Sequence, residues 1–422
     1  MNVEEARGLI SDAQLLLTQA LTCLDDEPPP PQYVTVTTPA ELDAALVDGA
    51  RIKLVSTLVY PNRLTIAKND VVLEAAELVT GRMTKTAPAP SFPKGITVNG
   101  TDIDLVGLEC QNSAGTDIVI IAGANCTVDR CRVLGNPTTG VKRGIAANSA
   151  GNCQILRCYV DDCFGPYPGN DTQAIIAWDM LPGLLIEDCY LSGGSETIMI
   201  GGADPSSAAR DPKDITIRGN TITKNPAWQA QMVGVKNTLE LKNARNVLIE
   251  NNAIEYSWAG HGQDGYALAL TVRNQSGTDP TATVQDVMIR NNTISHAAGA
   301  VTILAEDNNH LPPDCVKMAR VTITGNTFTD INSATYSAGI TKKLIPIDRA
   351  PEDLTITNNT FDSTGQTSTI YFDHGPLTRF TWTGNTYKKS QYGMFGANVS
   401  PVNTAFVTYA PGGVTAPNTE IP

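Results

Sequence analysis

Glu240, Asp348 and Asp373 each lie in or just after a short apolar alternation: L-E-L-K-N from Leu239, L-I-P-I-D-R from Leu344 and T-I-Y-F-D-H from Thr369. Such alternation is that of a β-strand with one buried face, so the acids point away from the core. On stacked strands, Asp348 and Asp373 stand one or two strand spacings apart, roughly 5–10 Å. Paired carboxyls at roughly 5–9.5 Å carry out glycoside hydrolysis, retaining at the short end and inverting at the long end. One of the pair then needs a raised pKa to donate its proton. Lys242, Arg273 and Arg349 offer the alternative chemistry, a base for β-elimination. His374, next to Asp373, continues the polar row, as do Asp179 and Glu306 near the ends of neighbouring stretches. Read without chemistry, the same row is a set of solvated charges on a sheet face.

Two loops add aromatic groups. One reads K-N-P-A-W-Q-A-Q-M and carries Trp228; the other reads E-Y-S-W-A-G-H-G-Q-D-G-Y and carries Trp258, His261, Gln263 and Asp264. Trp228 lies eight residues past Asn220, and Trp258 six past Asn252. Both indoles are therefore expected on the same side of adjacent repeats, flanking Glu240 and Lys242. An aromatic face beside polar groups suits a sugar ring. Trp228, Lys242, Trp258, His261, Asp264 and His374 are accordingly expected to bind a glycan. The cysteine spacings match no zinc site, and no metal or cofactor is expected.

These residues need a scaffold, and the chain spells one out. An eight-residue phrase occurs ten times, as I-T-I-R-G-N-T-I from Ile215, V-L-I-E-N-N-A-I from Val247 and F-T-W-T-G-N-T-Y from Phe380. Degenerate copies start at Ile103, Cys126, Cys153 and Leu184. Successive starts are 23 to 40 residues apart, a spacing that signals a solenoid of stacked units. Positions one and three alternate as in a strand, and Gly-Asn or Asn-Asn at five and six marks a tight bend. Position six forms a column of Leu108, Cys131, Cys158, Cys189, Asn220, Asn252, Asn292, Asn326, Asn359 and Asn385. With rungs about 4.8 Å apart, the Asn amides can bond to one another up the stack. The nine cysteines are expected to behave as small buried hydrophobes.

Strand, corner, strand, loop, strand at this spacing resembles the right-handed parallel β-helix of the pectate-lyase-like superfamily, over roughly residues 33–395. The resemblance implies an all-β, single-domain helix of about ten to eleven rungs, with a sugar-binding groove on the sheet that precedes each phrase. That superfamily holds lyases, hydrolases, tailspikes and inert fibres, so the fold alone names no activity. The run L-E-L-K-N-A-R-N-V-L-I-E-N-N, with R-N-Q-S-G from Arg273, is also similar to a set of bacterial right-handed β-helix proteins. That likeness points to Glu240, Lys242, Asn243, Arg273, Asn274 and Gln275 as site residues. T-I-Y-F-D-H-G resembles the W-x-D-H piece of pectate lyases, with Tyr371 in place of Trp, and Arg349-Ala-Pro351 resembles their R-x-P element. The two pieces occur here in the opposite order.

The charge of −13 argues against nucleic acid and anionic membranes as partners. No signal peptide or membrane-spanning run is visible, so synthesis in a cytoplasm, with release by lysis as for a virion, is the expectation. Residues 1–27 read as a helix with Val3, Ile10, Leu17 and Leu24 at one heptad position and Ala6, Ala13 and Ala20 at the other. That seam is expected to drive oligomerisation, as a homotrimer, or docking to a virion. A proline linker spans 28–32, the β-helix 33–397 with a cap helix near 39–48, and a C-terminal cap or arm 398–422. The reading is a virion-associated, tailspike-like protein that recognises a polysaccharide or surface glycan and depolymerises it. The alternatives are a cellular pectate-lyase-like enzyme and a non-catalytic structural fibre or decoration protein.

Overall fold

The structure is a computed structural model; it describes residues 13–14, 32–112, 117–136, 140–165, 171–230, 235–260, 262–307, 316–375, 377, 379–397, 399–402, 408–409, 414–415 and 418–421. The chain divides into units 1–34 and 35–422. In the first, Ala13 and Gln14 are helical, and the rest of the expected helix lies outside the described residues. In the second, three long sheets run the length of a right-handed parallel β-helix. Eleven rungs contribute one strand to each sheet, from Val71–Ala75 to Met394–Gly396.

The phrase governs this architecture residue by residue. Its first four positions form the strand of the first sheet, in register from rung to rung: Cys126 faces Cys153, Leu184 faces Ile215, and Val287 faces Val321. Position five turns the corner with a left-handed backbone in all ten copies, φ lying between 48° and 75°. Gly and Asn adopt that conformation at little cost, which is why they dominate there. Arg130 and Arg157 are the unusual occupants, and both are tied to the carboxylate of Asp129.

Position six is buried and hydrogen-bonded along the axis. The Asn220 amide N–H and Nδ2 both donate to Asn252 Oδ1, at 2.9 and 3.0 Å. The pattern repeats through Asn292, Asn326, Asn359 and Asn385, and Asn418 accepts from the last. Each Nδ2 also donates to a carbonyl of the preceding rung, as from Asn292 to Ile249. The cysteines carry the column further down. Cys158 N–H donates to Cys189 Sγ at 3.3 Å, and Cys189 Sγ donates to Ile155 O at 3.5 Å. These thiols therefore take the hydrogen-bonding place of an amide as well as filling the core.

The interior is a continuous apolar column, ending in stacked rings of Phe328, Phe361 and Trp382. At the N-terminal end the helix Pro39–Ala45 buries Leu42 and starts with a capping box between Thr38 and Glu41. At the other end Val399–Val402 pairs antiparallel with the last strand of the third sheet, and Thr419–Ile421 continues the second. A strap around residues 82–87 crosses the rungs instead of following them. Arg132 donates to the carbonyls of Thr84 and Ala87, Met83 N–H to Arg157 O, and Arg82 to Asp188 and Thr221. Among the described residues no helix is long and apolar enough to cross a membrane.

Candidate functional site

The apolar stretches that precede the phrases, those of Leu239, Leu344 and Thr369 among them, lie in one parallel sheet, the third, from Val119–Ile121 to Ser368–Phe372. Its outward positions make two rows. Met199, Glu240, Ala269 and Thr302 stand side by side in one, and Pro346, Tyr371 and Phe395 continue it. Two residues along each strand, Lys242, Thr271, Leu304, Asp348 and Asp373 form the second. Leu239 and Leu241 point into the core, as their alternation with Glu240 and Lys242 requires.

A string of alternating charges crosses the first row. Lys236 Nζ lies 2.6 Å from Asp171 and 3.3 Å from Glu196. Lys242 Nζ lies 3.9 Å from Glu196 and 3.5 Å from Glu240. The carboxylate oxygens of Glu196 and Glu240 can therefore be no farther apart than those last two distances together, inside the roughly 9.5 Å upper limit for paired glycosidase acids. Asp171 and Lys236 form the solvent-facing rim, and Glu196 is sealed, its Oε2 accepting from Gln173 Nε2 at 2.8 Å. Burial and then the Glu240 charge push the Glu196 carboxyl up to about 7. Burial also raises Asp171, but Lys236 outweighs it and holds that carboxyl below the usual range. For Lys236, the pull of Glu196 and Asp171 overcomes burial and keeps the ammonium protonated well above its ordinary range. Lys224, wholly buried beside them, donates to the carbonyls of Gly193, Gly194 and Ser195, and burial lowers it to about 7. Nearby, the Arg143 guanidinium lies 4.7 Å over the ring of half-buried Trp178.

Asp348, Asp373 and His374 meet farther along the same face. Ile347 and Phe372 are register partners, which sets Asp348 beside Asp373. His374 Nδ1 lies 2.5 Å from Asp348 and 3.7 Å from Asp373. Their ligand atoms all fall within 4.8 Å of one another, so these three could hold a cation; all are partly or well exposed. Lys242 and Asp348 are three rungs apart, about 14 Å. The expected acids thus fall into two places: Asp348 with Asp373, and Glu240 with Lys242 and the unforeseen Glu196.

Several expectations are corrected. Trp228 and Trp258 are not exposed platforms: they are 2% and 4% exposed, in one apolar cluster with Phe164, Val235, Ala298 and Tyr336. Trp228 packs on Phe164 with ring centroids 4.4 Å apart. The loops between the second and third sheets close over their own large rings, which burial favours strongly. Asn243 and Asn274 do not face a ligand either. Asn243 bridges Asp211 and Asp279 at 2.8 and 3.0 Å and accepts from Thr283 N–H. Asn274 is buried and donates to the Asp279 carbonyl at 2.6 Å. Arg273 pairs with buried Asp307 at 3.2 Å. These residues pin the turn from the third sheet back to the first. Asp179 similarly anchors Ser206 and Arg210. Asp264 is exposed, with its backbone carbonyl accepting from the Thr341 hydroxyl, and His261 lies outside the described residues.

The profile of the family described as "Right handed beta helix region" matches residues 169–341. No curated protein matches the chain. Among solved structures, a tailspike double mutant of E. coli bacteriophage HK620 is 14% identical, over 90% of this chain and 73% of that one, with a TM-score of 0.50. The Dettilon tailspike is 16% identical with a TM-score of 0.43, over 83% of this chain; the match spans 62% of that protein's length. A mannuronic acid specific polysaccharide family 6 lyase from human gut microbiota is 11% identical with a TM-score of 0.48, over 92% and 81%. The likeness is one of fold: the chain is a right-handed parallel β-helix.

Proposed function

We propose that the chain binds a polysaccharide along the outer face of the third sheet and hydrolyses it. The observation that carries this reading is the run Asp171–Lys236–Glu196–Lys242–Glu240 on that face. Burying charges is costly and seldom adds stability, so a fibre gains little from such a cluster. Strongly shifted acidities gathered in one cluster are a feature of sites that transfer protons. Glu240 and Glu196, bridged by Lys242, supply the paired carboxyls, and Asp171 with Lys236 closes the run at its exposed rim. Hydrolysis is favoured over elimination because Glu240 and Glu196 lie within the separation of paired glycosidase acids, whereas Arg273 is taken up by Asp307.

The test is incubation with capsular, lipopolysaccharide and plant polysaccharides, reading both new reducing ends and unsaturated uronate absorbance. Reducing ends without the absorbance are expected, and Glu240→Gln should lower kcat at least about 10²-fold. Absorbance would mean elimination instead, and no product from the whole panel would favour the second reading, a non-catalytic structural or decoration protein. Burial of both Trp228 and Trp258 speaks for that second reading. Assembly as a homotrimer through residues 1–27 and docking to a virion complete the proposal, on the heptad pattern alone.

A further inference from the structure

Beyond the charged cluster the same face ends in aromatic groups. Tyr371 and Phe395 are register partners on the last two rungs, in the row that begins at Met199 and Glu240, with rings 5.1 Å apart and edge to face. Tyr392, 39% exposed, leans on Phe395 at 4.9 Å. The Lys343 ammonium sits 3.6 Å over the Tyr371 ring, a cation–π contact. Asp373 stands two residues along from Tyr371, and Asp348 two along from Pro346 on the neighbouring strand, both beside His374. Single exposed aromatics are ordinary, but here exposed Tyr392 clusters with half-buried Tyr371 and Phe395 at one end of the face. Glu240 and Tyr371 are four rungs apart, about 19 Å, farther than one sugar ring reaches.

We propose that Tyr392 and Phe395 form a distal subsite for a neutral sugar unit of the polysaccharide chain that is cut at Glu240. The ring faces attract the polarised C–H groups of a sugar, and the Asp348 and Asp373 carboxylates accept its hydroxyl protons. The same carboxylates repel an acidic sugar unit at this end of the groove. The inference rests on the proposed glycan-binding reading and adds to it the minimum length of the substrate and the neutrality of one of its units.

The test uses the full chain carrying Glu240→Gln, so that binding is read apart from cleavage. Titration calorimetry with two-unit and six-unit oligosaccharides of dextran, laminarin, galactomannan, alginate and polygalacturonate gives the baseline. Adding Tyr392→Ala should weaken binding of a neutral-unit hexasaccharide about tenfold, and that loss should be absent with two units. Phe395→Leu should act in the same direction if the alanine variant folds poorly. An equal affinity for the hexasaccharide with and without Tyr392 overturns the subsite while leaving cleavage at Glu240 standing. Tighter binding of the purely acidic chains, or binding abolished by a chelator, overturns the neutral-sugar assignment in favour of cation bridging at Asp348, Asp373 and His374. Binding of none of these glycans, with no cleavage in the broader panel, overturns the proposed function and the subsite together.

Discussion

At the scale of single residues, Glu196 shows how the fold sets chemistry. Its carboxyl is raised to about 7 chiefly by burial, so the folded state prefers it protonated. Its contribution to stability is therefore present below about pH 4.5 and is lost as pH rises to about 7, by about 3 kcal/mol at most. Glu196→Gln should flatten that part of the profile: urea midpoints at pH 5 and pH 8 should lie closer together than in the parent. An unchanged difference would mean that Lys236 and Lys242 already keep the group ionised. The proximity of Asp348 and Asp373 was legible in the sequence, because the phrase sets the register and both acids follow the same apolar alternation. Glu196 was not, because a lone Glu heading the apolar run T-I-M-I-G-G looks like the edge of a strand. Trp228 and Trp258 misled in the opposite sense. Sequence spacing put both on one side of adjacent rungs, but not whether that side folds inward.

At the scale of elements, the corner column does most to fix the helix. Asn292 gives hydrogen bonds to Ile249, Arg290 and Asn326 and receives two from Asn252. Asn292→Leu would leave the Asn252 N–H and the Ile249 carbonyl without these partners in a dry interior. A loss of roughly 3 kcal/mol or more is expected from denaturant unfolding, since each buried orphan costs about 1–3 kcal/mol. A loss below about 1 kcal/mol would show that water replaces the amide. The third sheet was legible strand by strand from the apolar runs before each phrase. The strap was not: its hydrogen bonds join Arg82 to residues 106 and 139 positions away, which no local pattern announces.

At the scale of the whole molecule, eleven near-identical rungs make a rigid ruler on which only the loops and outward residues vary. The acidic charge and the β-helix were both readable from composition and repeat, because each is a sum over many residues. Subunit assembly is a separate question, which the proposal assigns to the heptad pattern of residues 1–27. Deleting residues 1–27 should leave a folded β-helix and convert a trimer into a monomer by light scattering. An unchanged mass would assign assembly to the helix body instead.

The similarity of the rungs has a kinetic side. A chain whose strands nearly match one another can pair one rung out of step and still satisfy most backbone bonds. Such a slip would displace Asp188 and Thr221 from beneath Arg82, and Arg157 from Met83. The strap can close only over rungs stacked in the right order, so it acts as a proofreading latch on the assembling solenoid.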